Sequence, residues 1–143
     1  MKKIILLLIT IVSLSSCSSS DGDTSSLNII IGTWQLKSET ENGVERATDC
    51  RKKSTITFSE NGNGSQMSYD DTNDGNGNIV CENEYNGTFT WENTNAATYS
   101  ISEDGDSSSA DLIFSENNTI FSNSTTETFN GTTYTSTFSY IKI

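Results

Sequence analysis

Asn-Gly occurs six times in this chain, at Asn42-Gly43, Asn61-Gly62, Asn63-Gly64, Asn76-Gly77, Asn86-Gly87 and Asn130-Gly131. Both residues of the pair accept positive φ, so the dipeptide favours the type I′ turn that joins two antiparallel strands. Asp104-Gly105 is a further turn of this kind, and Glu116-Asn117-Asn118 marks another reversal. Between these points, short runs alternate Thr and aromatic residues with polar ones, and no run carries a helical period. A chain punctuated this way is directed towards a meander of hairpins.

The runs read as strands over 29–38, 54–59, 64–69, 78–83, 87–91, 97–102, 110–115, 119–122 with an extension at 127–129, and 133–143. Each has one apolar face: Ile30, Trp34 and Leu36 in the first, Phe89 and Trp91 near the middle, Phe138 and Tyr140 in the last. Ser, Thr, Asn and Gly are abundant and charged residues make up only 19%, which alone would leave folding in doubt. Aromatic residues from Trp34 to Tyr140 recur along the whole of this part, and they argue for a folded β domain with polar outer faces. Closing the meander into a barrel or a flattened sandwich removes exposed edges. The absence of Pro, a common edge protector, fits closure. The expected class is all-β: an antiparallel up-and-down meander of about eight strands closed into a small barrel over residues 28–143.

The N-terminal part has a different character. Lys2 and Lys3 precede an apolar run over residues 4–12, followed by Leu14-Ser15-Ser16 and Cys17. A positive start, a short apolar stretch and small residues before a cut form the layout of a secretory signal peptide. The run is too short to span ~30 Å of hydrocarbon as a helix. Leu14-Ser15-Ser16-Cys17 resembles the lipobox of bacterial lipoproteins, which implies cleavage before Cys17 and acylation of its sulfur. An ordinary signal peptide with a Cys near its cut is the alternative. The organisation expected is a cleaved leader (1–16), a lipidated flexible tether (17–27) and the β domain (28–143). Asp21 and Asp23 behind Cys17 resemble the surface-export signals of Bacteroidetes-type lipoproteins, and an acidic Ser-rich linker explains them equally. The expected location is the outer membrane, held by the lipid anchor on the periplasmic face or at the cell surface.

With Cys17 assigned to lipid, Cys50 and Cys81 remain, and an exported chain pairs two such cysteines as a disulfide. A redox pair or a metal site is the alternative, but there is no CxxC spacing and no His to complete one. Removal of Lys2 and Lys3 with the leader leaves six basic residues against 19 acidic ones, a net charge of −13. Such a surface repels nucleic acid and anionic headgroups.

Gly32-Thr33-Trp34 at the start of the first strand resembles the Gly-x-Trp motif of lipocalins. Its setting strengthens the likeness: a lipoprotein-like leader before it, then Cys50-Arg51-Lys52-Lys53-Ser54-Thr55-Ile56-Thr57-Phe58, and later Gly87-Thr88-Phe89-Thr90-Trp91. The order is similar to that of small lipocalin-like lipoproteins of the Bacteroidetes type and covers residues 29–143. The resemblance implies a lipocalin-like barrel with Trp34 packed across its closed end and a basic residue over the indole. Lys142 shares the inward parity of Phe138 and Tyr140 and takes that place, so Gly32, Trp34 and Lys142 form the expected base. Trp91, Tyr99, Phe138 and Tyr140 are the candidate lining of an open mouth that binds a small hydrophobic or amphipathic ligand. Core packing is the alternative for each of them.

Other chemistry finds little support. Without His, the commonest general base and metal ligand are missing. No Gly-x-Ser-x-Gly occurs, and Glu82, Glu84 and Glu92 make no convincing carboxylate pair. The segment from Asp70 to Ile79 resembles a calcium loop, but Cys81 stands where the bidentate Glu belongs, and a solvated acidic loop explains it as well. Arg46, Arg51, Lys52 and Lys53 form the one positive patch, which either offsets the acidic surface or meets an anionic ligand group. No enzyme, metal or cofactor is expected. A ligand-binding module leads, and a filled barrel that contacts another envelope protein through its loops is the alternative.

Overall fold

A computed structural model describes residues 28–143; the leader, Cys17 and the tether lie outside the described residues. Ten strands run in chain order as β1 Gly32–Glu41, β2 Val44–Glu45, β3 Thr55–Phe58, β4 Asn63–Asn73, β5 Ile79–Asn95, β6 Thr98–Glu103, β7 Asp106–Asp111, β8 Ile113–Ser115, β9 Ile120–Phe129 and β10 Thr132–Lys142. The single helical turn among them is a 3₁₀ segment, Arg51–Lys53. All pairings are antiparallel, in the order β7-β6-β5-β4-β3-β1-β10-β9-β8, with β2 attached to β1. The turn chemistry acts as its residue types dictate. Asn42-Gly43, Asp104-Gly105 and Asn130-Gly131 all have positive φ at both positions and join strands directly.

The expectation of about eight strands in a closed barrel needs correction. The sheet has ten strands and its ladder is not closed. The difference arises at Leu112. The run 110–115 reads as one strand, but Ala110 and Asp111 end a strand from Asp106 that pairs β6, while Ile113 to Ser115 pair β9. Leu112 turns inward and is buried, and its N–H donates to Ala97 O at 2.9 Å. The outer edges of β7 and of the far half of β9 therefore carry no ladder between them. The β7 edge, Asp106-Ser-Ser-Ser-Ala-Asp111, has short polar side chains and acidic ends, which suit an exposed edge. The tenth strand is β2, a two-residue addition after the Asn42-Gly43 turn.

Asn86-Gly87 is not a turn. β5 runs through it for 17 residues, merging two runs that read as separate strands. Gly87 is covered by the Tyr85 side chain, whose hydroxyl donates to Glu103. Gly64 lies within β4 because a Cβ there would collide with the Phe89 ring.

The sheet curls around one aromatic core. Trp34 is fully buried and meets Phe121 and Phe114 edge-on, with centroids 4.8 and 6.2 Å away. Phe58 contacts Phe89 and Trp91, and Trp91 continues through Tyr99 to Phe114. Edge-to-face pairs of this kind add about 0.5–1.5 kcal/mol each beyond area burial. The Cys50–Cys81 bond expected from the sequence is present, and it ties the segment before the 3₁₀ turn to the far arm of β5.

Candidate functional site

The two ends of the inner face differ. At the base, Trp34 Nε1 donates to Ile30 O at 2.6 Å, and Lys142 Nζ lies 5.1 Å from the indole centroid. Gly32 has φ +132°, and a Cβ there would strike the Lys142 stem. Gly32, Trp34 and Lys142 thus form one unit, with Lys142 also donating to Ile29 O. Trp91 is buried against Phe58, and its Nε1 is shared between Ser59 O and Asn63 O. Tyr99 is 2% exposed, and its hydroxyl donates to Asn28 Oδ1 at 3.0 Å. Trp91 and Tyr99 belong to this packed end.

Tyr140 stacks on Phe121 of this core, with ring centroids 4.9 Å apart, and also, with Phe138, reaches a separate space. With Leu36, Ile56 and Gln66 they line a cavity of about 160 Å³, bounded by the inner face of β1, β3, β4 and β10 and by the 3₁₀ turn. Larger concavities lie beside Phe89 and Glu103 and beside Lys142, but they are open surface grooves, the first along the β4, β5 and β6 ends and the second among turn residues.

Two irregularities bring charge into the cavity. Between Leu36 and Ser38 the β1 register against β10 shifts by one residue, leaving Lys37 as the extra residue. A one-residue slip exchanges the two faces of a strand. Glu39, which strict alternation from Trp34 and Leu36 would turn outward, pairs with Phe138 and faces the cavity. A second shift, between Ser68 and Tyr69 on β4, leaves Glu84 of β5 unpaired, and Glu84 also borders the cavity.

Arg51 supplies the countercharge. Its Nη2 lies 2.6 Å from Glu39 Oε2, and the Glu39 side chain is only 15% exposed. That oxygen is fully buried and receives no aligned N–H. The turn that carries Arg51 is docked firmly: Gln35 Nε2 donates to Lys52 O, Leu36 N to Ser54 O, and Tyr69 N to Ser54 Oγ. Cys50, directly before Arg51, is buried and bonded to Cys81. Burial pushes the Tyr140 phenol above the usual tyrosine range; the Glu39 charge adds to this and Arg51 opposes it. Tyr140, Glu39 and Arg51 therefore sense one another in one poorly solvated space.

The remaining candidates resolve differently. Arg46 pairs with Glu41 at 3.2 Å and Lys52 with Glu45 at 4.0 Å, while Lys53 Nζ lies 3.5 Å from Cys81 Sγ. The positive patch is thus spent largely on neighbouring carboxylates. In the 70–79 segment, Asp74 accepts from the N–H groups of Asn76 and Asn78 and from Asn78 Nδ2, and these bonds lower its pKa. Among the described residues no group of three or more Cys, Asp or Glu side chains is arranged to hold a metal ion.

Glu39, Gln66, Ser68 and Glu84 were not candidates for a ligand site on sequence grounds. The two glutamates reach the cavity through bulges, and no residue pattern in the chain announces either one. Arg51 was visible only as part of a basic cluster.

Comparison with curated proteins finds no match. A family model described as the lipocalin-like domain matches residues 30–133, from the strand that carries the Gly-x-Trp segment to the start of β10. The chain therefore belongs to the lipocalin-like domain family.

Proposed function

We propose that this protein is a lipid-anchored binding protein of the bacterial outer membrane, which holds a small amphipathic ligand in the cavity beneath the Arg51 turn. One observation carries the reading: Phe138, Leu36 and Ile56 give the cavity an apolar wall, and the Glu39–Arg51 pair gives it a polar one. Ligand sites combine apolar lining with a few convergent polar groups in this way. The family match supports a binding role over a catalytic one. At about 160 Å³ the cavity lies below the ~300–1,000 Å³ of sites for drug-sized ligands, so the ligand, or the part of it that enters, is small.

Anchoring rests on Leu14-Ser15-Ser16-Cys17. Replacing Cys17 with Ala moves the protein from the membrane to the soluble fraction of its own cells; retention of the variant in the membrane contradicts the anchor. Native mass spectrometry of the protein released from that membrane tests the binding reading. A bound small molecule, lost in a Phe138→Ala variant, is the expected result, and a clean apo mass counts against it.

A second reading has its own support. Phe129 is 69% exposed and Val44 56% exposed, both at hairpin ends, where they could meet another envelope protein.

A further inference from the structure

We infer that the ligand of this cavity is a small organic cation, an alkylammonium group with a short apolar tail. The inference rests on the proposed binding role and names the chemistry of that same site. Three charged side chains line the cavity: Glu39, Glu84 and Arg51. Arg51 already faces Glu39 at 2.6 Å. An entering anion finds the remaining Arg51 N–H donors, but it must also settle beside Glu39 and Glu84, two carboxylates against one guanidinium. An entering cation breaks nothing. It finds Glu84, which makes no salt bridge among the described residues, and the one net negative charge that the lining keeps once Arg51 offsets Glu39.

The rest of the lining agrees. Phe138, Tyr140 and Tyr69 border the space, and aromatic faces attract ammonium groups. Leu36 and Ile56 accommodate a short alkyl tail but leave no room for a long one. The chain as a whole carries a net charge of −11, which draws cations towards it and slows the approach of anions. Both carboxylates owe their position to register shifts, and bulges recur beside binding sites because they re-aim a side chain.

The test is calorimetric titration of the folded protein with n-butylammonium, butyrate and n-butanol, three probes of nearly one shape and different charge. Butylammonium binds at least about tenfold more tightly than either of the others: it makes a charge-assisted hydrogen bond that butanol cannot, and butyrate meets the net negative charge of the lining. Its affinity falls about tenfold in Glu84→Gln, falls also in Glu39→Gln, which leaves the Arg51 charge uncompensated, and weakens with added salt. Glu84 is exposed, so its variant folds even if Glu39→Gln does not. Equal or tighter binding of butyrate or butanol overturns the cation and leaves the cavity standing as a binding site. Failure of all three probes to bind overturns both readings. Butylammonium binding that neither Gln substitution weakens also overturns the assignment to these carboxylates.

Discussion

The base of the sheet and the cavity above it are built from the same strands and differ in what their inward residues do. Along β1, Trp34 is fully buried among aromatic rings, while Glu39, reached through the bulge at Lys37, looks into open space. Along β10, Lys142 covers the indole from outside, whereas Tyr140 and Phe138 meet a charge pair. The base is a filled aromatic layer with both indole N–H groups satisfied. A small curled sheet is filled wherever its inward side chains are large. Space survives where the bulges at Lys37 and Glu84 break the strand pattern and charged residues enter between the rings. In this protein stability and binding are therefore separated along one set of strands.

Substitutions at the two ends should separate accordingly. Trp34→Ala costs about 3–5 kcal/mol of unfolding free energy in denaturant titration, the range for deleting a fully buried Trp. Phe138→Ala, half-buried beside existing space, costs clearly less and abolishes ligand binding. Equal costs would break the comparison. Replacing Cys50 and Cys81 together with Ser costs about 3–4 kcal/mol in the chain-entropy account of a loop of this length. It also weakens ligand binding, because the bond ties the Arg51 turn to the β5 arm. Lys142→Met removes the cation over Trp34 and costs about 0.5–1 kcal/mol at this exposed site, with no effect on ligand affinity.

Smaller effects come from the ionisable groups. The Tyr140 phenol is held above its ordinary value, so the folded state resists its ionisation. The associated stability is intact below about pH 10, where phenols of the unfolded chain begin to ionise, and falls as pH rises towards the folded-state pKa. Burial likewise raises Tyr99, and the bond to Glu103 raises Tyr85, so absorbance titration shows several late-titrating phenols, one of which Tyr140→Phe removes. The exposed Asp74 carboxylate is lowered by its loop bonds, so its contribution is present above its ordinary value near 3.8 and fades as pH falls through the folded-state pKa. Asp74→Ala speeds amide exchange at Asn76 and Asn78 and leaves the melting temperature almost unchanged.

Much of the architecture could be read from residue types. The Asn-Gly and Asp-Gly reversals, the alternation of Trp34 and Leu36, and the pairing of the 54–59 and 64–69 runs each follow from local chemistry. The misreadings share one cause. Closure of the ladder and the merging of β5 through Gly87 depend on how neighbouring strands register, and register is a tertiary property; the inward turn of Glu39, just past the 29–38 run, depends on it too. Alternation counts faces correctly until a bulge adds a residue, and nothing in Leu36-Lys37-Ser38-Glu39 marks where that happens. Trp91 and Tyr99 were weighed as mouth or core on aromatic character alone, which does not distinguish the two ends of a strand.

The most direct test of the separation between a filled base and an open cavity is a proton–nitrogen correlation spectrum of the folded protein titrated with n-butylammonium. The account predicts shift changes at Glu39, Arg51, Ser68 and Phe138 to Tyr140, with the indole N–H signals of Trp34 and Trp91 unmoved. Movement of the indole signals with Arg51 and Tyr140 silent, or no change at any of these positions, would contradict it.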